Sequence, residues 1–215
     1  MTTQTEIGDI LRLGPVVPVI VVEELAHAAP LAKALVAGGV RVLEVTLRTP
    51  AGLEAIRVMR EEVPDAVVGA GTVLNRAQLE AVAKVGAAFA VSPGATDELL
   101  DAAARSPVPL LPGTATASEV MTVLERGYTH MKLFPAEAVG GMALLKALAS
   151  PLPAARFCPT GGIDPEKAKQ YLALPNVVCV GGSWLVPNDA LRSGDWRRIT
   201  ELARGAAGLR GGSDR

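Results

Sequence analysis

The stretch VLEVTLRTPAGLEAIRVMREEVPDAVVGA, residues 42–70, contains one full turn of the pattern that decides the fold. It opens on a β-branched run at 42–47 and passes Thr49-Pro50, a pair suited to capping a helix and starting it. Leu53, Ile56 and Met59 follow at helical spacing, and after Val63-Pro64-Asp65 a second β-branched run occupies 66–70. Two strands joined this closely through a helix run parallel, because an antiparallel pair needs only a tight turn. The alternation continues outward in both directions. Strand-like runs fall at 16–22, 42–47, 66–70, 87–91, 109–111, 129–134, 156–159 and 177–181, eight in all. Between them lie Ala/Leu-rich segments such as Leu144, Leu145 and Leu148, or Ile199 and Leu202. Asp164-Pro165 predicts a further helix start, and Asn75 followed by Gln78 has capping-box spacing.

Eight such units fit either a doubly wound open sheet or a closed ring. No strand opens a Gly-x-Gly-x-x-Gly turn, and eight is the count of a barrel, so the predicted fold is α/β, a single (β/α)8 TIM barrel spanning residues 1–215. At 215 residues it is a lean one. Residues 205–215, rich in Gly, Ala and Arg without an apolar period, are expected to form a flexible tail.

Composition narrows the function. With 49% apolar residues, 20% charged residues and a net charge of −1, the chain is neither disordered nor basic enough to track a phosphate backbone, so no nucleic acid partner is expected. Aromatics are only 3%, which predicts an aliphatic core. Cys158 and Cys179 are too few for a disulfide scaffold and read as small core residues in a reducing compartment. The first residues have no basic flank leading into an apolar stretch, so neither secretion nor membrane insertion is expected. Only His27 and His130 are present, and the mouth residues do not form a carboxylate cluster, which predicts chemistry without a metal and without a cofactor. His130 reads as a core histidine.

In a parallel barrel the chemistry gathers at the carboxyl ends of the strands. The unusual residues fall there. Lys132 stands in His-Met-Lys-Leu-Phe-Pro, with apolar neighbours on both sides. The bland reading is a rim lysine snorkelling to water. The functional one is a desolvated amine, nucleophilic when neutral and able to form a Schiff base with a ketone. Glu44, in Val-Leu-Glu-Val-Thr-Leu, is either a structural partner of Arg41 or Arg48 or a proton shuttle. The second and sixth strands lie four apart in a ring of eight, so Glu44 and Lys132 are expected to face each other across the mouth. Arg48 offers a fork for a carboxylate, or is a surface arginine of the next helix. Thr72, closing Gly-Ala-Gly-Thr, is a ligand donor or a turn cap. Gly161-Gly162 and Gly181-Gly182-Ser183, after the seventh and eighth strands, stand where barrels build an anion site from backbone amides. The ligand is therefore expected to carry a phosphate or a second carboxylate.

Five motifs in order carry a family resemblance: Glu44-Val45-Thr46-Leu47-Arg48-Thr49, Gly69-Ala70-Gly71-Thr72-Val73-Leu74, Lys132-Leu133-Phe134-Pro135-Ala136-Glu137, Pro159-Thr160-Gly161-Gly162-Ile163 and Gly181-Gly182-Ser183-Trp184. Over nearly its whole length the chain resembles the 2-keto-3-deoxy-6-phosphogluconate (KDPG) aldolases, which also cleave 4-hydroxy-2-oxoglutarate (KHG). The resemblance implies a class I aldolase in which Lys132 forms the pyruvate Schiff base and Glu44 is the general acid and base. It implies that Arg48 and Thr72 hold the pyruvate carboxylate, that Pro93 and Phe134 line the pocket, and that Thr160 meets the aldehyde half. Gly161, Gly162, Gly182 and Ser183 would bind the distal phosphate of a phosphorylated keto-acid substrate. It further implies a cytoplasmic homotrimer serving Entner–Doudoroff sugar-acid breakdown.

Overall fold

The computed structural model describes residues 3–210. The strands are β1 (Val16–Ile20), β2 (Val42–Thr46), β3 (Val67–Gly71), β4 (Ala90–Val91), β5 (Leu110–Leu111), β6 (Gly113–Thr114), β7 (His130–Leu133), β8 (Arg156–Pro159) and β9 (Val180–Gly182). Helix α1 (Thr3–Arg12) precedes them. Between and after them come α2 (Ala28–Ala37), α3 (Gly52–Glu62), α4 (Arg76–Lys84), α5 (Asp97–Ala103), α6 (Ala117–Glu125), α7 (Gly141–Ala149), α8 (Pro165–Leu172), α9 (Asn188–Ser193) and α10 (Trp196–Ala207). Every strand pairing is parallel, as the strand–helix alternation requires.

The protein is an α/β fold with a curled parallel sheet. The ladder forms a six-stranded sheet, β5-β4-β3-β2-β1-β9, and a three-stranded one, β6-β7-β8, rather than one uninterrupted ring. The fifth predicted strand, 109–111, becomes β5 and pairs with β4, while beyond Pro112 a further short strand, β6, which the eight predicted runs do not include, pairs with β7. Proline has no N–H to donate there, but its carbonyl accepts from Lys132 N at 2.8 Å. At the other seam, isolated bridges Phe157↔Val177 and Thr160↔Gly181 connect β8 to the approach and body of β9.

Alternation along the strands sorts side chains into two layers. Leu43 and Val45 of β2, and Met131 and Leu133 of β7, join the large cluster between sheet and helices. Val17, Val42, Phe89, Val91, Leu111 and Cys158 form a second cluster on the concave face. That cluster also contains Ile7 and Leu11 of α1, both fully or nearly fully buried. Helix α1, which the strand–helix pattern does not announce, therefore supplies apolar side chains to the end opposite the active mouth. His130 lies at this depth too: a Cβ added to Gly8 of α1 would stand 2.8 Å from the His130 ring.

Local signals hold in part. Asp164 caps α8 by accepting from Lys167 N at 2.9 Å, with Pro165 in the first turn, and Asn75 caps α4 by accepting from Gln78 N at 2.9 Å. Thr49 does not cap α3. Its hydroxyl donates to Val22 O at 2.6 Å, and the helix begins at Gly52 behind Ala51. A long-range strand-end carbonyl outcompetes the local cap. Helix α10 runs into the expected tail, through Ala207, because Ala203 and Ala206 lie buried against the helix layer, with Gly38, just past the end of α2, lodged against Ala203. Residues 211–215 of that tail lie outside the described residues.

Candidate active site

Lys132 sits in β7 between Met131 and Leu133, whose side chains pack outward, so the pleat turns the lysine inward. Glu44 is placed the same way in β2. Their heads meet across the concave face, Nζ donating to Oε1 at 3.2 Å over 88 residues of sequence. Both side chains are almost sealed from water, at 5% and 4% exposure. Removing two charges from water to this degree costs more than a surface pair returns, so the arrangement is not explained by stability. Space for the carboxylate comes from Gly71: a Cβ there would lie 2.3 Å from Glu44 Oε1 and 2.7 Å from Glu44 Cγ. The Phe134 ring, just beyond β7, presents its face to the ammonium at 5.2 Å.

Arg48 and Thr72 are brought together at the rim, Arg48 Nε donating to Thr72 Oγ1 at 3.1 Å. Thr72 is held at φ 61°, a left-handed conformation that a β-branched residue rarely adopts. Such a conformation costs on the order of 1–3 kcal/mol and persists where the surroundings impose it, commonly at functional sites. Pro93, after β4, packs its carbonyl against Gly113, the register partner of Lys132.

Beside the buried pair opens a cleft of about 170 Å³. Arg48, Phe134 and Thr160 form one part of its wall. Gly161, Gly162, Gly182 and Ser183 form another, so the two glycine turns converge as their positions after adjacent strands required. Gly161 and Gly162 both have positive φ, at 106° and 75°. Glu44, Lys132, Thr72 and Pro93 do not line this cleft. Thr72 reaches it through Arg48, and Lys132 approaches it beneath Phe134. Val19, Val21 and Ile163 add apolar wall that sequence reasoning missed. For Val19 the signal was available: it shares inward parity with Val17 and pairs in register with Glu44. Among the described residues no group of three His, Cys, Asp or Glu is arranged to hold a metal ion. Cys158 and Cys179 lie buried in the concave cluster.

A second polar cluster lies behind the Gly161-Gly162 turn. Lys167 of α8 pairs with Glu137 at 2.6 Å and donates to Gly162 O at 3.1 Å. The Tyr171 hydroxyl donates to the other Glu137 oxygen. The bonds from Lys167 and Tyr171 hold the Glu137 carboxyl below its ordinary range, while burial and that carboxylate push the Tyr171 phenol up.

The chain is similar to known proteins in sequence and fold. The family model for KDPG and KHG aldolases matches residues 7–202. A KHG/KDPG aldolase of Escherichia coli K12 is 59% identical over 203 residues, 94% of this chain and 95% of that one. The KDPG aldolase of Legionella pneumophila, solved with pyruvate captured as a covalent carbinolamine intermediate, superposes with a TM-score of 0.91 at 50% identity, covering 93% of this chain and 97% of that one. The enzyme of Zymomonas mobilis ZM4, solved with 3-phosphoglycerate, also superposes with a TM-score of 0.91 at 50% identity over 96% and 97% of the two chains.

Proposed function

The chain belongs to the KDPG and KHG aldolase family, and from that membership we propose how its own residues divide the work. It is a class I aldolase that cleaves 2-dehydro-3-deoxy-6-phosphogluconate to pyruvate and glyceraldehyde 3-phosphate, and 4-hydroxy-2-oxoglutarate to pyruvate and glyoxylate. The observation that carries the reading is the sealed contact of 3.2 Å between Lys132 Nζ and Glu44 Oε1. A carboxylate at that distance can take a proton from the ammonium and release the lone pair for attack on the keto carbon. The carbinolamine so formed gives up its hydroxyl, which leaves as water with the proton Glu44 took from the ammonium, so that an iminium stands on Lys132 and Glu44 is a carboxylate again. Cleavage between the third and fourth carbons then sends its electron pair into the iminium, leaving an enamine, while Glu44 accepts the C4 hydroxyl proton, directly or through a water. The aldehyde departs. Glu44 returns the proton to the third carbon, and hydrolysis frees pyruvate and the amine.

Arg48 and Thr72 hold the pyruvate carboxylate, a role supported by their hydrogen bond and by the fork geometry of arginine. Pro93 and Phe134 wall the keto-acid pocket. Thr160 meets the aldehyde half, and Gly161, Gly162, Gly182 and Ser183 receive the distal phosphate with backbone amides and one hydroxyl. The bridges between β8 and β9, together with the continuity of the chain through Pro112, support reading the curled sheet as a closed (β/α)8 ring. A homotrimer acting in the cytoplasm, in Entner–Doudoroff breakdown of sugar acids, completes the proposal. No described helix is long and apolar enough to cross a membrane.

Borohydride added with pyruvate reduces the imine to a carboxyethyl-lysine. Peptide mapping is expected to find it on Lys132; recovery of Lys132 unmodified overturns the mechanism. The ratio of kcat/KM on the two substrates then establishes which one the cleft prefers.

A further inference from the structure

Glu137, Lys167 and Tyr171 are not part of the aldol chemistry, yet they occupy the back of the turn assigned to the phosphate. Three successive carbonyls of that turn are held from one side. Ala136 N donates to Thr160 O at 2.8 Å, Glu137 N to Gly161 O at 3.3 Å, and Lys167 Nζ to Gly162 O at 3.1 Å. In a trans peptide the N–H points opposite to the preceding C=O. Holding those carbonyls therefore turns the amides of Gly161, Gly162 and Ile163 away from the cluster. Two of the three anchors are peptide groups, but the third is a long, half-exposed lysine that would wander without a partner. Glu137 is that partner. Its other oxygen is fixed by the hydroxyl of Tyr171, a side chain wholly buried in the sheet–helix core. Contact is close on this side too, since a Cβ on Gly162 would meet Glu137 Cγ at 2.8 Å.

We propose that Glu137, Lys167 and Tyr171 form a positioning cluster that aims the Gly161-Gly162 amides at the distal anion. They would set affinity for a phosphorylated aldehyde half without touching the substrate. The inference rests on the phosphate role proposed above for Gly161 and Gly162. It makes the cluster a device for discriminating phosphorylated from unphosphorylated keto acids, because the phosphate on the sixth carbon extends several bonds further past the fourth carbon than the terminal carboxylate of 4-hydroxy-2-oxoglutarate does.

Three variants test it: E137Q, K167M and the isosteric Y171F. Each is expected to raise KM for the phosphorylated substrate about tenfold, the usual consequence of losing a hydrogen bond involving a charged group, with kcat changed less than twofold. kcat/KM for 4-hydroxy-2-oxoglutarate and the yield of trapped pyruvate on Lys132 should stay at the native level. Equal losses on both substrates, or no loss on either, overturn the proposal. K167M alters a partly exposed side chain, so it remains informative if Y171F folds poorly. Failure of the aldolase reading is recognised separately, as absence of the pyruvate adduct in the native protein. In that event calorimetric titration with glycerol 3-phosphate, a phosphate ester unable to form an imine, decides the question. Binding that weakens about tenfold in E137Q supports the cluster; binding that is absent in the native protein or unchanged in the variant overturns it.

Discussion

Gly71→Ala adds one methyl group and tests whether the Glu44 carboxylate works by position. Gly71 has no left-handed backbone torsion, so alanine is locally acceptable and the effect is steric. The new Cβ would stand 2.3 Å from Glu44 Oε1, 2.7 Å from Cγ and 2.9 Å from Cδ, where ordinary contact begins at 3.4 Å. The oxygen must therefore retreat by about 1.1 Å, the difference between 2.3 and 3.4 Å, and the whole side chain must move because three of its atoms clash. A displacement of that size cannot leave the geometry of the 3.2 Å Lys132–Glu44 contact as it is. A misplacement of about 1 Å at a reacting centre costs about 10²-fold, equivalent to about 2.7 kcal/mol of barrier. Overpacking the interior should lower stability by about 1–3 kcal/mol, which a denaturant titration measures separately. Pyruvate release, followed by coupling to NADH oxidation, should thus show kcat/KM down by about two orders of magnitude in protein that remains folded. Borohydride should still label Lys132, more slowly, because the amine itself is untouched. A Gly71→Ala enzyme within threefold of the native rate would refute the claim that the exact place of this carboxylate matters.

Two other outcomes follow from the buried groups. Lys132→Met should abolish turnover and also destabilise the fold by about 3–5 kcal/mol, because Glu44 is left without its cation in a sealed site. Adding Glu44→Leu should recover part of that loss, and urea titrations of both singles and the double would expose the idea as wrong if the effects simply add. His130 is 8% exposed; burial first, then the Arg12 and Arg156 guanidiniums, push its imidazole below the ordinary value, with Asp9 opposing. A depressed folded value means that the unfolded chain takes up the proton first. The stability His130 contributes is therefore complete above about pH 6.5 and is lost as the pH falls below it, at no more than about 1.4 kcal/mol per pH unit. His130→Gln should flatten the stability profile between about pH 7 and 5, and parallel profiles for the two proteins would show that the loss comes from elsewhere.

The order of elements and the central pair were legible in the chain because both are written in local chemistry. A β-branched run between helical stretches reads as a strand wherever it occurs, and a charge inside such a run, as at Glu44 and Lys132, violates the pattern conspicuously enough to be noticed. The parity of a strand even tells which way such a residue points once one neighbour is known to face out. The converging glycine turns were placed by the same arithmetic, from strand count alone. Other features depended on partners far along the chain. Thr49 sits in a helix-capping sequence, yet its hydroxyl goes to Val22 O, a strand end that no window around Thr49 contains. Pro112 stands between two short strands with different partners, because its own carbonyl and Gly113 bind β7 while Leu110 and Leu111 pair with β4. Helix α1 could be recognised as the source of buried apolar side chains only after the sheet had curled to leave a hollow for Ile7 and Leu11. Glu137 was visible in a motif but had no evident task until folding brought Lys167 and Tyr171 onto its two oxygens. Sequence periodicity determines which face of an element is apolar; which distant atom meets a particular polar one is decided by the packing that closes those faces, since hydrogen bonds and contacts act over a few ångströms in space and are blind to separation along the chain.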